Sequence, residues 1–238
     1  MSKRIIFSMG ARGGVGKTTV ISTLADWYAE HKVPVELLDF DDENKANSGL
    51  THFQKSARKI HVDKRDGLDV FIEIVDKTTH PVIVADFGAR SGRLTFNWFD
   101  STFEHLKGLD ITFTAVGVVT TDPGSVTSVL EWADHLQKKV QYLIVLNELQ
   151  TEQAVFDVWE KSEQVARFRA DLKPKVIRFL SINPDLQKGI SNHGASLLEV
   201  AQKKVEIPEL VGSRWGIRAQ QVYQAASKEF TKVKDVLL

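Results

Sequence analysis

Residues 10–19 read GARGGVGKTT, a run whose residue types and order suit the binding of phosphate. Gly13, Gly14 and Gly16 free the backbone to turn so that successive N–H groups, including that of Val15, face one concave surface where anionic oxygens bind. Lys17 supplies an ammonium for β- and γ-phosphates. Thr18 supplies a hydroxyl for Mg²⁺, and Thr19 one for the α-phosphate. Two acidic clusters accompany the loop. The run LLDFDDEN (37–44) carries Asp39 and Asp41, which, two residues apart on a strand, point to the same face. Asp42 and Glu43 follow as solvated groups or as part of a moving switch. The run VIVADFG (82–88) ends an apolar stretch with Asp86, a carboxylate suited to bind Mg²⁺ directly or through water. Gly88 and Gly92 beyond it offer hinges.

Such groups need strand ends and helix starts to hold them. Six apolar runs read as buried parallel strands: 4–9, 34–40, 81–87, 111–119, 140–147 and 175–180. Each is rich in Val, Ile and Phe at consecutive positions, as expected where both faces are covered. Helical patterns lie between them at 17–31, 66–77 (capped by Asp66), 122–139, 151–171 and 215–236. The stretch 151–171 is highly charged and reads as a solvated helix. Alternation of strand and helix predicts an α/β fold: a doubly wound, mostly parallel sheet with helices on both faces. With 238 residues, the chain is expected to form one domain over 1–238, with 201–238 as a C-terminal helical region. The polar segment 42–66 is longer than an idle connection and reads as functional.

Composition removes several functions. The chain has no cysteine, which excludes disulfides, thiolate metal sites and thiol nucleophiles. Lys+Arg and Asp+Glu number 31 each, so any nucleic-acid surface must be a local patch. The seven histidines stand at no metal-ligand spacing. The N-terminus lacks a signal-peptide pattern, and no apolar segment approaches the roughly 18–20 residues of a membrane span, so a cytoplasmic protein is expected.

The loop resembles the deviant Walker A loop, K-G-G-x-G-K-[ST], of the ParA/MinD ATPases, with Arg12 at the position of the family's defining lysine. Ala11 stands where the standard loop has glycine. The resemblance extends over 4–41, 81–92 and 175–200 in motif order. It implies a P-loop ATPase that binds ATP and Mg²⁺, dimerises with ATP and hydrolyses it slowly under stimulation by a partner protein. It further implies a part in segregation, positioning or transfer of plasmid or other DNA cargo in a bacterial, nucleoid-associated setting. In it, Lys17 and Arg12 offset phosphate charge, Asp41 positions water or the Mg²⁺ shell, and Thr18 and Asp86 hold the metal. Arg12 either reaches the phosphates of the second subunit or forms an ion pair within its own chain, for instance with Asp39 or Asp41. A small-molecule P-loop ligase on the same scaffold, or a nucleotide binder with little hydrolysis, are the alternatives.

The guanine motif [NT]-K-x-D is not met at LNELQ (146–150), where Glu148 replaces the lysine and Gln150 the aspartate, so ATP is favoured. Asn147 matches the family's base-contacting asparagine in position, or caps a strand end. Pro184 and Gly194 match the family segment that covers adenine, with Ser191 in place of its alanine. Residues 201–238 hold Lys203, Lys204, Arg214, Arg218, Lys228, Lys232 and Lys234 against Glu206, Glu209, Glu229 and Asp235. GSRWGIR (212–218), with Trp215 between two arginines, is either a non-specific DNA contact or an ordinary solvated helix end. A membrane-binding helix is disfavoured because FTKVKDVLL (230–238) lacks a large apolar face.

Overall fold

The computed structural model describes residues 2–41, 49–61, 67–89, 96, 99–100, 103, 106, 108–149 and 151–238. Asp42, Glu43, Asp66, Gly92 and Gln150 lie outside the described residues. Seven strands run along the chain: β1 (Lys3–Met9), β2 (Val35–Phe40), β3 (Arg58–Lys59), β4 (Val82–Phe87), β5 (Ile111–Val119), β6 (Gln141–Asn147) and β7 (Lys175–Phe179). They form one sheet in the order β3-β2-β4-β1-β5-β6-β7, and every pairing is parallel. All six apolar runs are strands. The seventh, β3, is a two-residue edge inside the polar segment, too short to leave a period in the sequence.

The helices are α1 (Lys17–Glu30), α2 (Leu50–Phe53), α3 (Gly67–Lys77), α4 (Pro123–Leu136), α5 (Asp157–Lys161), α6 (Glu163–Leu172), α7 (Pro184–His193), α8 (Leu197–Ala201) and α9 (Ser213–Lys232). Alternate side chains of each strand enter opposite layers. Ile6, Val84, Val116 and Val145 meet α1 and α7–α9 on one face. Ile5, Phe7, Ile83, Ala115 and Ile144 meet α3–α6 on the other, where Phe99, Phe103 and Leu106 add bulk. The stretch expected to be one solvated helix is instead two short ones, α5 and α6, broken at Ser162. They bury Trp159, Val165 and Phe168 against Tyr142 and α4.

The C-terminal helix is part of the core. Trp215, Ala219, Tyr223, Ala226 and Phe230 of α9 are buried against α1 and the sheet. Tyr28 donates from its hydroxyl to the Leu237 carbonyl at 2.7 Å, and Thr114 to that of Val236 at 2.7 Å. Losing a fully buried aromatic such as Phe230 would cost on the order of 3–5 kcal/mol. Among the described residues, no helix is long and apolar enough to cross a membrane.

Candidate functional site

β1, β4, β5, β6 and β7 all point their C-terminal ends at one cavity of about 740 Å³. Open parallel sheets bind ligands at this end, and the size suits a small molecule. Gly13, Gly14, Val15, Gly16, Lys17, Thr18 and Thr19 line one side with Asp41, Phe87 and Ala89. Thr120, Thr121, Asn147, Glu148, Leu149, Thr151, Phe179, Ile182 and Gln187 line the rest. Pro184 is not in the lining; it is the first residue of α7, behind the Asn183 cap.

The loop after β1 turns at three left-handed positions, Gly10 (φ 102°), Gly14 (φ 74°) and Gly16 (φ 91°). Gly13 is not among them, and neither is Ala11, so alanine replaces the standard glycine without backbone strain. Gly16 ends the loop as the N-cap of α1 with no side chain on the helix N–H groups. N–H donors at a helix start, with the positive end of the helix dipole, suit an anionic ligand. A Cβ on Gly16 would collide with the Asn147 amide. Asn147 donates from Nδ2 to the Val15 carbonyl at 2.8 Å and accepts at Oδ1 from Leu149 N–H at 3.1 Å. It therefore caps its strand end and fastens the loop at once.

Lys17 is buried and donates from Nζ to the Arg12 carbonyl at 2.9 Å. Thr18 donates from its hydroxyl to Asp86 Oδ2 at 2.7 Å, and Ser8 donates to Asp86 Oδ1 at 2.8 Å. Burial pushes the Asp86 carboxyl up to about 6, and Asp39, its register partner on β2, adds repulsion; the two hydroxyls and Lys17 oppose the rise. A buried carboxylate beside a hydroxyl supplies the oxygen ligands Mg²⁺ takes, and a cation there would offset the cost of burying the charge, so Thr18 and Asp86 fit Mg²⁺. Among the described residues no three His, Asp or Glu side chains cluster to cage a metal. Mg²⁺ commonly takes few protein ligands and completes its shell with phosphate oxygens and water.

Asp39 and Asp41 part company. β2 ends at Phe40, so Asp41 lies beyond the strand and the two do not share a strand face. Asp39 is fully buried and accepts at Oδ2 from Thr51 N–H (2.9 Å) and Thr51 Oγ1 (2.8 Å), and at Oδ1 from Asp41 N–H (3.0 Å) and Lys59 Nζ (3.1 Å). It is a structural node joining β2, α2 and β3. Lys59 also donates to the Asp41 carbonyl. Asp41 itself is carried to the cavity wall, against Gly88, where an added Cβ would collide with its carboxylate.

Arg12 pairs with neither Asp39 nor Asp41. Its Nε donates to Asp122 Oδ2 at 2.7 Å. Asp39 lies on β2 and Asp41 just past its end, two strands from β1, whereas Asp122 follows the adjacent β5 and caps α4 through Gly124 N–H at 3.1 Å. That N–H first, and Arg12 next, holds the Asp122 carboxyl below the usual carboxylate range. The Arg12 and Asp122 side chains are 56% and 39% exposed, so the pair adds little stability and exchanges readily for another anion. Ala11 N–H donates to Ser128 Oγ of α4 at 2.5 Å, so α4 carries the outer half of the loop. Ser8, Ser128 and Lys59 carried no signal of their own in the sequence, and Asp122 signalled a helix start alone.

No protein-family model matches the chain, and no curated protein matches it. Among solved structures it is similar to the MinD cell division protein of Aquifex aeolicus, with 17% identity over 97% of each chain and a TM-score of 0.53. The MinC:MinD cell division protein complex of the same organism gives 15%, 96% of each chain and 0.54. A protein described as a plasmid partition protein from Borrelia burgdorferi B31, bound to AMPPNP, gives 13%, 97% of this chain and 99% of that one, and 0.52. The chain has the fold of these proteins. At such identities the likeness is one of architecture, and the chemistry rests on the residues themselves.

The C-terminal basic cluster sits apart from the cavity. Trp215 is buried, with the guanidinium of Arg214 4.7 Å and that of Arg218 5.5 Å from its ring centre. The ring is therefore not free to stack on a base, and both exposed arginines pack against it. Much of the local charge is paired inside the chain: Asp235 with Lys175 at 3.0 Å, Glu229 with Lys232, and Glu209 with His193 at 2.7 Å.

Proposed function

We propose that the chain is a single-domain, Mg²⁺-dependent ATPase switch of the ParA/MinD type. It binds and hydrolyses ATP and dimerises when ATP is bound, in the cytoplasm, to segregate, position or transfer plasmid or other DNA cargo. The observation that carries this reading is the convergence of three groups on one cavity: the start of α1, the buried Lys17 ammonium, and Thr18, whose hydroxyl is bonded to Asp86 buried behind it. The AMPPNP-bound neighbour of the same fold supports it.

The N–H groups at the start of α1 hold the phosphates. Lys17 exchanges its bond to the Arg12 carbonyl for the β- and γ-phosphates. Thr18 and Asp86 would hold Mg²⁺, which when bound neutralises phosphate charge. Asp41 faces the same cavity and orients the attacking water. Arg12, weakly held by Asp122 and half exposed, leaves its own chain to bind the phosphates of a second copy. A partner protein raises the slow turnover. Arg214 and Arg218, with Lys203 and Lys204, contact DNA through its phosphates without sequence preference.

Phosphate release from ATP tests the reading. The expected result is slow release that requires Mg²⁺ and vanishes in Lys17→Ala. Release that requires a small metabolite, and ignores DNA and protein partners, would favour a ligase instead.

A further inference from the structure

The residue expected to read the base is already occupied. Asn147 commits Nδ2 to the phosphate loop and Oδ1 to Leu149 N–H, so its amide fixes the backbone around the cavity. The next residue differs. Glu148 is 7% exposed and lines the same cavity. Its backbone N–H continues the ladder to the Phe179 carbonyl at 3.0 Å, which pins the residue at the joint between β6 and β7. Arg178 Nη1 reaches Glu148 Oε1 at 3.4 Å, and Ser181 N–H reaches Oε2 at 3.3 Å.

The position of this carboxylate in the sheet decides what it meets. Asp86 and Asp41 follow β4 and β2, on one side of β1. Glu148 follows β6, two strands away on the other side, roughly 10 Å from β1 at ordinary strand spacing. A nucleotide with its phosphates on the loop and its metal at Asp86 must extend its base toward β6 and β7. The walls there are Leu149, Phe179 and Ile182, apolar surfaces that suit a flat ring. Asp41 and Glu148 are the carboxylates among the described lining residues, and Glu148 is the one at this end.

We propose that Glu148 is the specificity-determining residue of the site, accepting a hydrogen bond from the exocyclic amino group of adenine. The inference rests on the ATP reading above. An ionised carboxylate only accepts, so the base edge it faces must donate. Adenine offers one amino group there. Guanine carries a carbonyl oxygen at the same ring position, so in the same pose two acceptors would face each other. The burial that removes Glu148 from water also makes an unmatched ligand costly, because the carboxylate then loses solvent without gaining a donor.

Equilibrium binding of ATP, GTP and purine riboside triphosphate, which is ATP without the amino group, tests this in the full chain. Wild type is expected to bind ATP about tenfold or more tighter than the purine analogue, the value of one charge-assisted bond. In Glu148→Ala the two affinities converge, because ATP loses its bond and the analogue loses the cost of the unmatched carboxylate. Should that variant fail to fold, Glu148→Gln keeps a weaker, uncharged acceptor and is expected to narrow the ratio. Equal wild-type affinities, a preference for GTP, a ratio unchanged in the variants, or an equal loss for both ligands in Glu148→Ala would each overturn the assignment. Lys17-dependent ATP binding surviving those results leaves the proposed function standing; no binding of any triphosphate overturns both.

Discussion

The two ends of the cavity are built by opposite means. At the β1–β4–β2 end, Lys17, Asp86 and Asp41 are charged and buried, and the half-buried Thr18 is bonded to Asp86. At the β6–β7 end, Leu149, Phe179 and Ile182 make apolar walls around a single carboxylate, Glu148. The contrast separates two tasks. Under the proposed function, charge-assisted bonds at the first end would supply affinity for any nucleoside triphosphate, and the second end would supply discrimination.

Substitutions at the first end should therefore have the largest effects. Lys17→Ala is expected to weaken ATP binding by roughly a hundredfold or more in titration calorimetry, as suits a lost charged donor in a buried site. Affinity kept in this variant would mean that the apolar end does the holding. Next comes Asp41→Ala, in which steady-state phosphate release should drop by about a hundredfold while ATP affinity is little changed. A smaller loss, about tenfold in the same assay, is expected for Gly88→Ala, whose new Cβ pushes the Asp41 carboxylate off its position.

A residue outside both ends gives the smallest functional effect. Asp26 of α1 accepts from Gln54 Nε2 at 2.9 Å and Leu198 N–H at 3.4 Å, tying α2 and α8 to the core. Burial raises its carboxyl to about 6, against hydrogen bonds that lower it. A raised carboxyl binds its proton more tightly in the folded state. Its contribution is fully present below the unfolded value near 4 and lost as pH rises through about 6. Asp26→Asn should thus add on the order of 1–2 kcal/mol to stability at pH 8 and nothing at pH 4, by denaturant melts. ATP binding should not change; if it did, the division between the two ends would be too sharp.

The same contrast explains what the sequence disclosed. GGVGKTT and VIVADFG are contiguous because a strand, a turn and a helix start must follow one another to hold phosphate and metal. Six strands announced themselves as runs of Val, Ile and Phe. The base end draws on positions 147 to 187, and only the folded sheet brings Glu148 beside Phe179. The segment 181–200, matched in sequence to one that covers adenine, holds α7, with its Asn183 and Pro184 start, and α8, with a Ser196–Glu199 capping box. Asp39 and Asp41 looked equivalent by spacing. The end of β2 at Phe40 and the arrival of Thr51 and Lys59 separate them. The partner of Arg12 lies 110 residues away at Asp122, beyond any local pattern.

That exposed arginine bears on the central claim, that ATP joins two copies through a cation lent across the interface. Light scattering of Asp41→Ala, which should hold ATP without hydrolysing it, measures this directly. With Mg²⁺ and ATP the particle should have twice the mass of the chain, and with ADP, or when Arg12→Ala is added, the mass of one. A particle of single-chain mass with ATP bound to Asp41→Ala would contradict the switch.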